Sequence, residues 1–120
     1  MALYECIFIM RQDIAAQDVH RLADRFIEMI KSLGGDVLKR EYWGLRTLAY
    51  IVKKNKKGHY IMLGVSASDS VVKELERNFK INEDVIKYLT IRVESIDEAP
   101  SHMMQSPADS ADLSAHASAE

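Results

Sequence analysis

Four lysines fall within five residues, Lys53, Lys54, Lys56 and Lys57, with Asn55 between them and Gly58-His59 behind. Ammonium groups held this close repel one another, and an anionic partner relieves that repulsion as it binds. The chemistry on offer is phosphate contact, with release of counterions from a nucleic-acid backbone. Arg46 upstream and Lys87 and Arg92 downstream extend the cationic set. The same part of the chain carries Trp43, Leu48, Tyr50, Tyr60 and Met62, aromatic or flexible apolar residues suited to a protein partner. Each could instead be core, above all Trp43 and Tyr50, since aromatics dominate small cores. The lysine run also has a plainer reading, as a solvated hairpin whose charges keep a sheet edge from aggregating.

Bond-making chemistry finds little support. His20 sits beside Arg21 in an amphipathic stretch and reads as solvent-facing. His59 begins a strand, where it could touch RNA, meet a partner or pack at the strand end. No H-x-x-H, C-x-x-C or H-E-x-x-H occurs, so no metal site is expected. The carboxylates alternate with basic residues along helix faces, where solvated ion pairs are the default. Gly34-Gly35 follows a helix and so is not a phosphate-cradling loop opening one. Neither an enzyme nor a cofactor is expected.

Hydrophobic period places the elements that must carry the lysines. Residues 3–10 alternate as a strand with apolar residues on both faces, as a central strand requires. A helix over 16–33 carries Val19, Leu22, Ala23, Phe26, Ile30 and Leu33 as one stripe, ended by Gly34-Gly35. Two strands, 36–53 and 59–66, form a hairpin around the lysine turn, where glycine and asparagine permit a tight reversal. Gly44 marks a bulge or bend in the first of them. Ser68 caps a second helix to about Lys80, with Val71 or Val72, Leu75 and Phe79 buried. A last strand spans 85–93, and its period does not say which face is inside.

The order βαββαβ gives a ferredoxin-like α+β two-layer sandwich: a four-stranded antiparallel sheet with two helices on one face. The other face has no helix, yet the period gives it Ile7, Ile9, Tyr60 and Met62. Such a patch calls for a macromolecular cover, unless it is ordinary surface hydrophobics.

The stretch Trp43-Gly44-Leu45-Arg46-Thr47-Leu48-Ala49-Tyr50, with the basic residues and His59-Tyr60 behind it, resembles the signature of the bacterial small-subunit ribosomal protein six family. The resemblance covers roughly residues 1–98, including the Tyr4-Glu5 strand, the block 71–79, and Asn82-Glu83-Asp84-Val85-Ile86 leading to Arg92. It departs at Ile51 and Val52, where the family usually has proline then isoleucine, and at Thr47, where a polar amide or charged residue is commoner. Both changes favour a regular strand and neither removes a charge. The resemblance implies a non-enzymatic constituent of the small ribosomal subunit, located in the cytoplasm. It further implies binding to central-domain small-subunit rRNA, cooperatively with small-subunit ribosomal protein eighteen, whose basic surface would carry much of the RNA contact. Neither a membrane, a small-molecule substrate nor an obligate homo-oligomer is implied.

Charge distribution fits that division of labour. Residues 1–92 hold all sixteen Lys and Arg with twelve Asp and Glu, a formal +4, whereas residues 93–120 hold the other six acids, a formal −6. A mildly basic domain of residues 1–98 would then precede an acidic Ser/Ala-rich tail, 99–120, expected to be disordered. The lone Cys6 lies among strand residues and reads as a buried thiol in a reducing compartment. No apolar run approaches the ~20 residues of a membrane span, and the start lacks a signal-peptide pattern.

Three other readings share this element order. Lys57-Gly58-His59-Tyr60-Ile61 begins like the basic-glycine signature of an RNA-recognition motif but lacks its stacking aromatics, so base stacking on the central strands is not expected. A dimerising regulatory domain would need a pocket that nothing marks. An acylphosphatase-like enzyme would need a phosphate loop that is missing.

Overall fold

The computed structural model describes residues 1–105. Strand β1 (Ala2–Arg11) is followed by α1 (Ala16–Ser32), β2 (Asp36–Val52), β3 (Asn55–Ala67), α2 (Asp69–Ile81), β4 (Val85–Val93) and a short α3 (His102–Gln105). The sheet order is β2-β3-β1-β4, with every neighbouring pair antiparallel. This is the expected ferredoxin-like sandwich. β1 is central because both of its faces are apolar, and its register fixes them. Cys6 lies opposite Leu63 and Thr90, while Ile7 lies opposite Met62 and Leu89. Directly opposed residues share a face, so β4 sends Thr90 toward the helices and Leu89 away, which settles its ambiguous period.

The helices cover one face. α1 buries Val19, Ala23, Phe26 and Ile30, spacings that repeat along one stripe of a 3.6-residue helix. It ends one residue before the expected Leu33, which is 47% exposed, and Gly34 (φ +92°) and Gly35 donate back to the carbonyls of Lys31 and Ile30. The Ser68 hydroxyl accepts from the Val71 amide, and α2 buries both Val71 and Val72 with Leu75 and Phe79. Three rings centre this layer: Phe8 stacks on Phe79 at 4.9 Å and meets Phe26 edge-on at 5.4 Å. Cys6 is fully buried in the same layer, and burial pushes its thiol up to about 12. It is an inert core residue.

The opposite face is not bare. Ile7, Ile9, Trp43, Leu48, Tyr60, Met62 and Ile86 form a second buried cluster there, with Met103 packed against it. The cover comes from two parts of the chain. β2 bends at Gly44, where φ is +91° and the β2–β3 register shifts, as the expected bulge requires. Beyond β4, residues 94–105 then cross the face toward β2. Ile96 passes so close to Gly64 that a Cβ there would sit 3.1 Å from two of its side-chain carbons. A patch that the period alone assigned to a macromolecular partner is thus roofed by the chain itself. The packing also runs past residue 98, where composition placed the domain boundary. Residues 106–120 of the expected disordered tail lie outside the described residues.

Phe8 touches both helices through its ring contacts and has no solvent exposure. Phe8→Ala should cost about 3–5 kcal/mol of unfolding free energy in denaturant titration.

Candidate nucleic-acid interface

The hairpin reverses through two lysines. Lys53 (φ 46°) and Lys54 (φ 69°) are both left-handed, and Val52 pairs directly with Asn55 across them. Two residues of positive φ are what a two-residue type I′ hairpin requires, a role usually filled by Asn-Gly. The expected glycine therefore does not make the turn; Gly58 lies within β3, opposite Arg11 and Arg46. Asn55 holds the turn instead. Its side-chain amide donates to the carbonyls of Val52 and Lys53, and its Oδ1 accepts from the Gln12 amide at 3.1 Å. Left-handed backbone costs a non-glycine residue about 1–2 kcal/mol, so these positions trade stability for two exposed cations at the tip.

Upstream, the register shifts again. Thr47 faces Lys57, but the next pair is Val52 with Asn55. Residues 48–51 of β2 therefore stand against Lys56 alone, and the surplus is extruded. Leu48 tucks into the second cluster (7% exposed), while Tyr50 and Ile51 project (52% and 60%). Lys87, from β4, donates to the Tyr50 hydroxyl at 2.9 Å.

This geometry gathers part of the expected cationic set. Lys53, Lys54, Lys56 and Lys57 fan from the tip, all exposed, and none forms an ion pair among the described residues. Lys87 stands beside them. Arg46 does not join: it is 2% exposed, and its guanidinium donates to the carbonyls of Trp43 and Met103 at 2.8 Å each. Its position in a bent, roofed segment turns it inward, where carbonyls satisfy its charge. Arg92 is exposed but lies five residues along β4 from Lys87, roughly 17 Å of strand, so it does not converge on the tip.

The expected partner residues also divide. Trp43, Leu48, Tyr60 and Met62 are 8%, 7%, 0% and 3% exposed and belong to the second cluster. They are core as long as the crossing segment stays in place. Of the five, Tyr50 is the one on the surface.

Two charged residues that sequence patterning did not single out, Lys39 and Glu41, fasten the crossing segment over this face, and Asp84 pins a strand end elsewhere. Lys39 Nζ donates to the carbonyls of Asp97 (2.6 Å) and Ala99 (2.7 Å). Glu41 accepts from the Ser101 amide (2.9 Å), the Ser101 hydroxyl (2.6 Å) and the Trp43 indole (2.8 Å). Asp84, in the α2–β4 loop, holds the end of β1 by accepting from the Arg11 guanidinium at 2.6 Å. The strand alternation that puts Lys39, Glu41 and Trp43 on one face was visible in the sequence; the segment that meets them was not. The histidines are structural as well. His59 is buried between the Tyr42 hydroxyl and the Ile14 carbonyl, each at 2.8 Å, and His20 packs edge-on against Tyr42. Among the described residues no helix is long and apolar enough to cross a membrane, and no three His, Cys, Asp or Glu are grouped to hold a metal.

Such a chain is a small α+β domain, in which a cationic hairpin projects from a doubly covered sheet. Comparison with known proteins gives that class its family. The family described as "Ribosomal protein S6" matches residues 3–92. The small ribosomal subunit protein bS6 of Paramagnetospirillum magneticum is 56% identical over 106 residues, covering 88% of this chain and 74% of its own. That of Rickettsia prowazekii is 47% identical over 105 residues, covering 88% and 87%. The crystal structure of 30S ribosomal protein S6 from Thermotoga maritima superposes with a TM-score of 0.73 at 26% identity, covering 77% of this chain and 87% of that one. The chain belongs to the bacterial ribosomal protein S6 family. It is a protein of the small ribosomal subunit, ribosome-bound in the cytoplasm, and not an enzyme.

Two measurements probe this geometry. Burial raises the Glu41 pKa, but the hydrogen bonds from Ser101 and Trp43 and the charge of Lys39 outweigh it and hold the carboxyl below its ordinary 4.5. A depressed folded-state pKa contributes stability above pH 4.5 that is lost as pH falls through the folded value. Wild type should therefore exceed Glu41→Gln in thermal stability at about pH 6, and the gap should shrink below about pH 4.5 as Trp43 emission shifts to the red. At the tip, Lys54→Gly should raise the unfolding free energy by about 1 kcal/mol in denaturant titration, by relieving left-handed strain.

Proposed function

We propose that this chain binds small-subunit rRNA in the central domain through phosphate-backbone contacts, and that it does so cooperatively as a heterodimer with small-subunit ribosomal protein eighteen. The observation that carries the reading is the hairpin tip: four exposed lysines on a rigid turn, none of them neutralised by a carboxylate among the described residues. Lys53, Lys54, Lys56 and Lys57 supply the phosphate contacts, with Lys87 beside them. Arg92, farther along β4, reaches a separate stretch of backbone. Arg46 serves by holding the bent strand.

Few phosphates are within reach of so compact a set, which supports weak binding alone and stronger binding beside a more basic partner. Tyr50 is the partner candidate already exposed. Trp43, Leu48, Tyr60 and Met62 meet protein eighteen only by exchange, with the partner taking the place of residues 96–105 over the second cluster.

The test is binding of the full chain to a central-domain rRNA fragment, with and without protein eighteen, at two salt concentrations. Tight, salt-sensitive binding should appear only with the partner. Changing Lys53, Lys54, Lys56 and Lys57 together to glutamine should flatten the slope of log affinity against log salt, by about 0.9 for each phosphate no longer neutralised. Wild-type binding that ignores both salt and partner would defeat the reading.

A further inference from the structure

The basic tip continues into a cleft that the sequence does not announce. Lys53 from the turn, Lys80 from the last turn of α2 and Lys87 from β4 line one recess of about 280 Å³, against Val85, Ile86 and Tyr88. Three cations thus arrive from three separate elements, and no carboxylate is among the lining residues. The α2–β4 loop holds two acids, Glu83 and Asp84; Asp84 is engaged by Arg11, and neither lines the recess. Neither the Lys53 nor the Lys80 ammonium makes a hydrogen bond or ion pair among the described residues. The adjoining recess shares Lys87 and is lined by Tyr50, Leu48 and Ile9. There the Lys87 ammonium lies 2.9 Å from the Tyr50 hydroxyl and 5.0 Å from the ring centroid.

The two recesses differ in chemistry but meet at one residue. The first favours a compact anion. The second presents a planar ring, pushed out of the sheet by the surplus residues 48–51 and more than half exposed. A ligand that uses both needs a phosphate joined to a flat, stackable group, which is a nucleotide. A carboxylate-bearing peptide would satisfy the lysines and leave the ring idle.

We propose that Lys53, Lys80, Lys87 and Tyr50 form a subsite for one unstacked nucleotide of RNA, its phosphate among the three ammonium groups and its base against the Tyr50 ring. The proposal rests on the rRNA-binding reading and deepens it. Lys80 becomes an RNA contact, and Tyr50 moves from the protein-partner surface to the RNA surface. Base stacking then takes place at the hairpin bulge, away from the central strands, where Tyr60 is buried.

The full chain with protein eighteen is titrated against a central-domain rRNA fragment, comparing wild type with Lys80→Gln, Tyr50→Phe and Tyr50→Ala. Both side chains lie at the surface, so the three variants should melt within a degree or two of wild type. Lys80→Gln should lower the salt slope by about 0.7–0.9, the value of one phosphate contact. Tyr50→Ala should weaken binding roughly tenfold or more with the slope unchanged, and Tyr50→Phe should bind within about twofold of wild type. A uridine pentamer and the same strand with its bases removed supply a second readout: wild type should prefer the first, and Tyr50→Ala should not discriminate. Wild-type RNA binding that Lys80→Gln and Tyr50→Ala leave untouched overturns the subsite and spares the broader reading. Loss of affinity for protein eighteen alone in Tyr50→Ala returns the ring to the partner surface and also overturns it. Absence of wild-type binding under every condition defeats both.

Discussion

A central strand with apolar residues on both faces needs two covers, and most of this architecture follows from that demand on β1. Tyr4, Cys6, Phe8 and Met10 face the helices, whose stripes of Val19, Ala23, Phe26, Ile30 and of Val71, Val72, Leu75, Phe79 close the first layer. Ile7 and Ile9 face the other way. Each large side chain buried in place of exposed contributes about 1.5–3 kcal/mol, so leaving Ile7, Ile9, Tyr60 and Met62 in water would be a substantial fraction of a small domain's net stability. The chain meets the demand with the bend of β2 and the crossing of residues 94–105.

That second cover is polar where it touches the edge strand. Lys39 and Arg46 donate to backbone carbonyls of the crossing segment, and the Glu41 carboxylate accepts from its Ser101 amide and hydroxyl. Buried charges are tolerable only when paired and fully bonded, so these residues have more of their bonds made in this arrangement of the segment than without it. A cover made this way is specific yet shallow. The helix layer, by contrast, is closed by three phenylalanine rings. The two layers thus differ in kind, one packed by apolar rings and the other fastened by polar contacts to a crossing segment.

The basic tip follows from the same geometry. A long hairpin outruns the sheet that anchors it, and the register shift after Thr47 leaves surplus residues at its free end. Lysine at left-handed positions 53 and 54 is the costlier choice for a turn, and Asn55 offsets that cost by bonding the carbonyls of Val52 and Lys53. Charge is thereby fixed in space beside Lys87 and Lys80. The phosphate contacts proposed for this tip would gain from such fixing, because less side-chain and backbone freedom is lost on binding.

The sequence by itself determined the element order, both helix stripes, the Ser68 cap, the Gly44 bulge, the central place of β1 and the family. These rest on periods of 2 and 3.6 and on local turn chemistry, all carried by near neighbours in the chain. It also determined that lysines 53, 54, 56 and 57 share one tip, since residues so close in sequence cannot separate. Tertiary structure alone decided which side chains that tip recruits and which it loses. Arg46 and Tyr50 are four residues apart on one strand, yet Arg46 is buried and Tyr50 projects. An irregular bulge breaks the alternation between them, and parity no longer reports the face. Lys80 joins the cleft only because α2 ends beside β4. The roof over Trp43 and Met62 comes from residues 94–105, far downstream of β2 in the chain, polar and without a period. Contacts between segments so far apart leave no mark in local spacing, and only the folded chain shows them.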